Sequence, residues 1–303
     1  MSGGTAAGRL IGAVEAGGTK FVLALADESG AILAHRRIPT QQPDNTFGAM
    51  ADFFREAEAT HGKIGAFGIG SFGPLALDHA AANWGTITTT PKQGWPGASY
   101  PQALAGFGVP LAVDTDVNAA ALGEWLSGAG RRAFTLAYTT VGTGVGTGVL
   151  RKGQSMGGIG HYEAGHVPIR REAGDDFEGI CRLHGDCLEG LASGPAIIAR
   201  WGASLDRLGR REAEIIAGYL ASFAVTLILL HMPERLIFGG GVSKAPGLID
   251  AIRRMTEERL AGYVRHPALD PGLREYIVPP ALGDDAGIRG AIELGRRMLP
   301  GAI

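Results

Sequence analysis

Cys181, His184 and Cys187 recur at intervals of three residues, and the chain holds no other cysteine. Thiolate sulfur and imidazole nitrogen are the donors that zinc prefers, and His166 can complete a tetrahedron with them. Four protein donors close the coordination sphere, so such a metal would brace the chain and leave no position for water. The same residues also allow a short-range disulfide, or two buried thiols beside incidental histidines.

Three glycine clusters suggest a second chemistry. Gly17-Gly18-Thr19-Lys20 and Thr139-Thr140-Val141-Gly142-Thr143-Gly144 combine bare backbone N–H groups with hydroxyls or an ammonium, which together complement a phosphate. Gly239-Gly240-Gly241 is a third cluster, suited to close approach by a nucleoside. None has the spacing of a Walker loop, and none joins a strand to a helix as a Rossmann fingerprint does. Singly each reads as a plain turn, but two in matching strand contexts with a third nearby point to a nucleotide. Asp114-Thr115-Asp116-Val117-Asn118 ends a strand just ahead of a helix, where a carboxylate can meet a substrate. Phosphoryl transfer needs a base beside the attacking hydroxyl and a metal to spread the phosphate charge. Asp116 suits the base, Asp114 is the next candidate, and a simple helix cap is the alternative for Asp116.

The elements that must carry these groups follow from hydrophobic patterning. Residues 10–14, 21–26, 31–39 and 64–69 read as strands, and residues 46–61 as a helix with Phe47, Met50, Phe53 and Phe54 on one face. A short strand at 111–114 leads into a helix over 117–128 rich in good helix formers. Residues 134–149 repeat the opening pattern of strand, glycine turn and strand, and residues 236–242 give a third strand ending in glycines. A final helix is expected over 284–298. The apolar stretch 215–232 is long enough to cross a membrane, but Tyr219, Ser222, Thr226 and His231 interrupt it and a strand follows Pro233, so it reads as a buried helix. Two similar α/β halves facing a cleft is the simplest architecture that uses all three glycine loops.

A length of 303 residues suits two domains, and 49 glycines without a G-x-y period exclude collagen. The net charge is −2, and the arginines form no basic stripe, so no nucleic-acid partner is expected. No signal sequence is visible and no membrane association is expected, which implies a cytoplasmic protein.

Over nearly its whole length the chain resembles the ROK sugar kinases, a branch of the actin-like ATPase superfamily, and in particular the zinc-containing bacterial fructokinases. The family's first phosphate motif, Asp-x-Gly-Gly-Thr-Lys, corresponds to Glu15-Ala16-Gly17-Gly18-Thr19-Lys20, with Glu at its head as in the fructokinase branch. Its second corresponds to Gly142-Thr143-Gly144-Val145-Gly146, and its nucleoside motif to Ile237-Phe238-Gly239-Gly240-Gly241-Val242-Ser243. Asp116-Val117-Asn118-Ala119-Ala120-Ala121-Leu122-Gly123-Glu124 matches the catalytic motif, with Thr115 where many hexopyranose kinases have Asn. Glu163-Ala164-Gly165-His166 matches Glu-x-Gly-His, and the cysteine-rich loop that follows has His184 in one of the usual Cys positions.

The resemblance implies an actin-like ATPase (ribonuclease H-like) fold of two α/β domains flanking a cleft. Residues 1–118 plus 285–303 would form the small domain and 119–284 the larger, with the zinc loop at 161–190. It further implies ATP-dependent phosphorylation of a hexose at its 6-hydroxyl, D-fructose first, with Asp116 as general base. Mg-ATP would lie on Gly17, Gly18, Thr19, Lys20, Thr143, Gly144, Gly240 and Gly241. The sugar would meet Thr115, Asp116, Glu163, His166 and Glu189, with Gly73 and Thr90 from two further loops. Structural Zn²⁺ would be held by His166, Cys181, His184 and Cys187. For Glu163 and Glu189 solvated surface is the ordinary alternative, and Trp95 in the Thr90 loop could cover a sugar face or plug the core. A homodimer is expected. Glucose, mannose and N-acetylmannosamine are alternative acceptors, and a sugar-sensing regulator without kinase activity is a different class. Such regulators carry a helical DNA-binding domain ahead of the kinase-like body, for which a first strand near residue 10 leaves no room.

Overall fold

The apolar runs on either side of Gly17-Gly18 form an antiparallel hairpin, β1 (Leu10–Ala16) and β2 (Lys20–Ala26), in the computed structural model, which describes residues 9–269 and 272–301. The two ends of the expected small domain, residues 1–8 and 302–303, lie outside the described residues. β3 (Ile32–Pro39) pairs antiparallel with β2. Helix α1 (Pro43–His61) then leads to β4 (Ile64–Ser71), and the short α2 (Tyr100–Leu104) precedes β5 (Leu111–Thr115). The sheet order is β3-β2-β1-β4-β5, with β1, β4 and β5 parallel. α1 starts at Pro43, ahead of the expected residue 46, because a proline in the first turn gives up only an N–H that would have no intrahelical partner.

Helix α3 (Asp116–Ser127) leads to a second hairpin, β6 (Thr135–Val141) and β7 (Val145–Arg151), followed by β8 (Gln154–Ser155). Helices α4 (Leu188–Ala192), α5 (Gly194–Trp201) and α6 (Arg210–His231) precede β9 (Arg235–Gly239). α7 (Leu248–Leu260) and β10 (Ile277–Val278) complete a sheet of order β10-β9-β6-β7-β8, in which β6, β9 and β10 are parallel. Read from its hairpin edge, it repeats the strand order and directions of the first sheet. The third glycine run therefore begins no third repeat: β9 holds the place in its sheet that β4 holds in the other. The hydrophobic patterning gives no helix at α2, α4, α5 or α7.

The last helix, α8 (Ala286–Arg296), is shorter than the expected 284–298 and is preceded by a 3₁₀ turn, Gly283–Asp285. It returns to the first sheet. There the alternation of β1 divides the core, since successive side chains face opposite sides of a strand. Ile11 and Ala13 pack with Ile288, Ala291 and Ile292 of α8, while Val14 and Ala16 belong to the cluster holding Met50, Phe53 and Phe54 of α1. Each fully buried Phe there contributes roughly 1.5–3 kcal/mol.

By contacts the chain divides into two compact units. One draws on Met1–Gly123, Gly157–His161 and Asp284–Ile303, the other on Glu124–Met156 and Tyr162–Gly283. In the second unit α6 is long and apolar enough to cross a membrane by length and composition. As expected it is a core helix here, with Ile216, Tyr219, Leu220 and Phe223 buried against β6, β7 and β9, while Leu229 and Leu230 near its end are exposed.

One buried charge fixes the start of this unit. Glu124, fully buried in α3, accepts three backbone N–H bonds, from Ala129 at 2.6 Å, Ala281 at 3.1 Å and Leu282 at 2.8 Å. An ionised carboxylate can be buried when donors of this kind replace its water.

Candidate functional site

In the first unit the candidate residues leave one edge of one sheet. β1, β4 and β5 run parallel, with Glu15 opposite Gly70, Ala16 opposite Ser71 and Ser71 opposite Thr115. The Gly17–Lys20 turn, the Gly73 turn and Asp116 thus emerge side by side at the carboxyl ends of the strands, where open α/β sheets bind ligands.

The first glycine turn is closed by Gly17 N–H onto the Lys20 carbonyl at 2.9 Å. The Gly17 carbonyl accepts from Thr40 Oγ1 at 2.8 Å, and the Gly18 carbonyl from Lys92 Nζ at 2.7 Å. Gly18, Thr19 and Lys20 are exposed.

Behind the turn, Glu15 Oε2 is buried without a hydrogen-bond partner among the described residues. Burial, and next the nearby charge of Asp116, push the Glu15 carboxyl up to about 7, against the pull of Lys20 and of a hydrogen bond from the backbone at Ile288. An unpartnered carboxylate oxygen near a second carboxylate is the hard donor set that Mg²⁺ takes.

The start of α3 answers the question of capping. Thr115 is the cap: its Oγ1 accepts Asn118 N–H at 3.1 Å, and the residue is only 5% exposed. Asp116 lies one position further on, in the first helical turn, where the helix dipole favours a negative charge. Its Oδ1 accepts Val117 N–H at 2.8 Å. Asp114 accepts Thr115 N–H at 2.7 Å and Asn118 Nδ2 at 2.6 Å.

Two further loops border this edge. Gly73 precedes Pro74 through a cis peptide, and His161 Nε2 accepts the neighbouring Leu75 N–H at 2.9 Å. Thr90 is half-buried, and its hydroxyl accepts Lys92 N–H at 3.3 Å. Trp95 is no sugar cover. It is fully buried, ringed by Phe21, Phe47 and Phe72 at centroid distances of 5.7, 5.5 and 5.1 Å, and its indole N–H reaches the Gln41 carbonyl at 2.9 Å. A large ring with its one polar group satisfied belongs in a core.

In the second unit, the second glycine turn is closed by Gly142 N–H onto Gly144 at 2.9 Å, with Thr143 exposed at its tip. Val145 N–H donates to Glu189 Oε2 at 2.9 Å. A Cβ on Gly144 would stand 2.6 Å from that oxygen, so the close approach requires glycine. The other carboxylate oxygen of Glu189 faces His166 Nε2 at 4.0 Å. Glu189 therefore lies between the glycine turn and His166, whereas Glu163 is exposed just ahead of the His166 turn.

His166, Cys181, His184 and Cys187 converge, with their ligand atoms within 4.8 Å of one another. His166 Nδ1 stands 3.7 Å from Cys181 Sγ and 3.6 Å from Cys187 Sγ, and His184 Nδ1 is 3.6 Å from Cys181 Sγ. Tetrahedral zinc with ordinary Zn–N and Zn–S bonds sets its ligand atoms about 3.6 Å apart, so these residues fit the metal. Both cysteines are free, which answers the disulfide alternative. Burial pushes the Cys187 thiol up to about 11, so a bound cation would have to displace its proton. Cys187 also caps α4, the helix of Glu189, by accepting Gly190 N–H at 3.5 Å.

The third glycine run leaves β9 through Gly240, at φ +86°, where a Cβ would meet the Val141 carbonyl at 2.3 Å. Gly241 is exposed, and Ser243 Oγ closes back onto the Gly239 carbonyl at 2.7 Å. Beside this turn opens a cavity of about 540 Å³ lined in part by Leu205, Glu214, Pro246, Asp250 and Arg254. No motif announces those residues, because charged positions on amphipathic helices read as solvated faces.

The ROK family matches residues 11–298 of this chain. A fructokinase from Zymomonas mobilis subsp. mobilis is 45% identical, the match covering 94% of this chain and 96% of that one. A fructokinase from Pediococcus pentosaceus is 40% identical, covering 97% and 100%. Among solved structures, a ROK family glucokinase from Streptomyces griseus in complex with glucose and AMPPNP is similar with a TM-score of 0.73 at 25% identity, covering 95% of this chain and 99% of that one. With its two mixed α/β sheets, the chain has the actin-like ATPase fold expected from its motifs. The chain belongs to the ROK family.

Proposed function

We propose that this chain is a sugar kinase, a fructokinase that transfers the γ-phosphoryl group of ATP to the 6-hydroxyl of D-fructose, giving fructose 6-phosphate. The observation that carries the reading is Asp116: it heads a helix at the carboxyl end of β5, on the sheet edge of the first glycine turn and in electrostatic reach of Glu15. A carboxylate there can take the proton of the attacking hydroxyl as the phosphate is transferred, a role of general base. Fructose is the first choice of acceptor because near-full-length similarity runs to fructokinases at 45% and 40% identity.

In this reading Gly17, Gly18, Thr19 and Lys20 with Thr143 and Gly144 hold the phosphates, and Gly240 and Gly241 admit the nucleoside to the adjoining cavity. Glu15 would hold Mg²⁺, whose chemistry is to neutralise charge on the transferring phosphate. Glu163, His166 and Glu189 accept and donate to sugar hydroxyls, with Thr115, Gly73 and Thr90 as further contacts. Zn²⁺ held by His166, Cys181, His184 and Cys187 would be structural and would orient His166, leaving its Nε2 for the sugar side. Residues 1–118 plus 285–303 form the small domain and 119–284 the large one, and the protein works as a cytoplasmic homodimer.

The test is Asp116→Asn. Turnover of fructose falls by about 10²–10⁴-fold, as for loss of a general base, while ATP binding measured by calorimetry holds. Retained turnover would remove Asp116 as the base. A panel of ADP release with fructose, glucose, mannose and N-acetylmannosamine reads the acceptor directly.

A further inference from the structure

The segment between the metal donors His166 and Cys181 has no regular helix or strand past the His166 turn, yet its middle is held to three helices of its unit. Glu172 receives a two-pronged pair from Arg259 of α7, with Nη2 at 3.0 and 2.8 Å from its two oxygens. The Arg259 guanidinium also donates to the Gly218 carbonyl of α6. Gly218 makes the seat: a Cβ there would stand 2.4 Å from the Glu172 carboxyl carbon.

Three residues on, Asp175 receives the Tyr219 hydroxyl of α6 and pairs with Arg200 of α5 at 2.9 Å, the Asp and Arg side chains being 5% and 6% exposed. Phe177 then lies under the Arg200 guanidinium, 4.3 Å from centroid to Cζ. Arg171 ties the segment to the stretch between the donors His184 and Cys187 through Asp186 at 3.1 Å.

Burying an ion pair, as Asp175 and Arg200 are buried, brings little net stability against an apolar substitute, but it fixes a register, since either charge moved off its partner is left uncompensated. The metal alone would close the segment at its ends and leave its middle free to wander. The ion pairs hold that middle on α5, α6 and α7. We propose that Glu172 and Asp175, seated on Arg259, Arg200 and Tyr219, form a second anchor of the metal loop. They are positioning residues that slow metal loss and, through His166 and the Cys187 cap of α4, set the place of the sugar-facing Glu189. The second half of this proposal rests on the function proposed above; the first does not.

The experiment uses the zinc-loaded full chain with Glu172→Gln and Tyr219→Phe, each close to the native shape. Release of zinc to excess chelator is followed with a chromogenic indicator, alongside KM for fructose and for ATP and a thermal melt. Loss of one charge-assisted pair is expected to speed release about tenfold and to raise KM for fructose, with KM for ATP unchanged. Release at the native rate in both variants, whatever their melting temperatures, overturns the anchor. Faster release with an unchanged KM for fructose keeps the anchor and overturns the sugar placement. Should Glu172→Gln fail to fold, Tyr219→Phe, which removes only a hydroxyl, decides by the same criteria.

Discussion

The carboxylate of Glu124 offers a sharp energetic test, because its three donors are all main-chain groups with nowhere else to turn. Replacing it with alanine leaves the N–H groups of Ala129, Ala281 and Leu282 facing a void where the side chain was fully buried. An orphaned buried donor costs about 1–3 kcal/mol, and part of the loss returns because a charge no longer has to be desolvated, so Glu124→Ala should lose about 4 kcal/mol. Glu124→Gln separates the terms. With its amide oxygen at the Oε2 position it keeps two of the three bonds and turns an NH₂ toward Leu282 N–H, which should cost about 2 kcal/mol. Urea unfolding of both variants, followed by far-ultraviolet circular dichroism, gives the comparison. If both stay within 1 kcal/mol of the native protein, the carboxylate is not the structural tie described here.

Two further outcomes are expected. In protein free of metal and nucleotide, the Glu15 carboxyl binds its proton more tightly folded than unfolded, so its contribution is fully present below pH 4.5 and is lost as pH rises through about 7. Stability should fall by about 3 kcal/mol between pH 4.5 and pH 8 relative to Glu15→Gln, and parallel pH profiles for the two proteins would refute it. Removing one zinc donor by Cys187→Ser should strip the metal on dialysis and weaken fructose binding, as metal analysis and calorimetry would read; a full complement of zinc in that variant would refute the ligand set.

The His/Cys cluster could be read in advance because its signals are local. Cys181, His184 and Cys187 are of rare type and close in sequence, so their convergence with His166 needed little knowledge of the fold. The two hairpins were legible for a similar reason, since a glycine pair between alternating apolar runs leaves few other structures. What stayed hidden depended on distant partners. Trp95 is equally a lid or a plug until Phe21, Phe47 and Phe72 arrive from three separate segments. Glu124 belonged to a recognised motif, yet two of its donors lie 157 and 158 positions away. Arg259 and Glu172, 87 positions apart, each look like ordinary surface charges. The short α4 and α5 carry too few residues for a periodic signal, and α7 was missed although it is amphipathic, its polar face reading as generic surface.

The repeated sheet order has a historical meaning. One ancestral half, copied and joined end to end, would leave this trace: the same five strands in the same directions, twice over. The two strand frames match, while the segments that leave their ends differ. At the matching position of each sheet, β4 now opens into the Ser71–Gly73 bend, and β9 into three consecutive glycines. Corresponding strand tips can thus differ in sequence and shape, because substitutions there leave the shared ladder of main-chain bonds untouched.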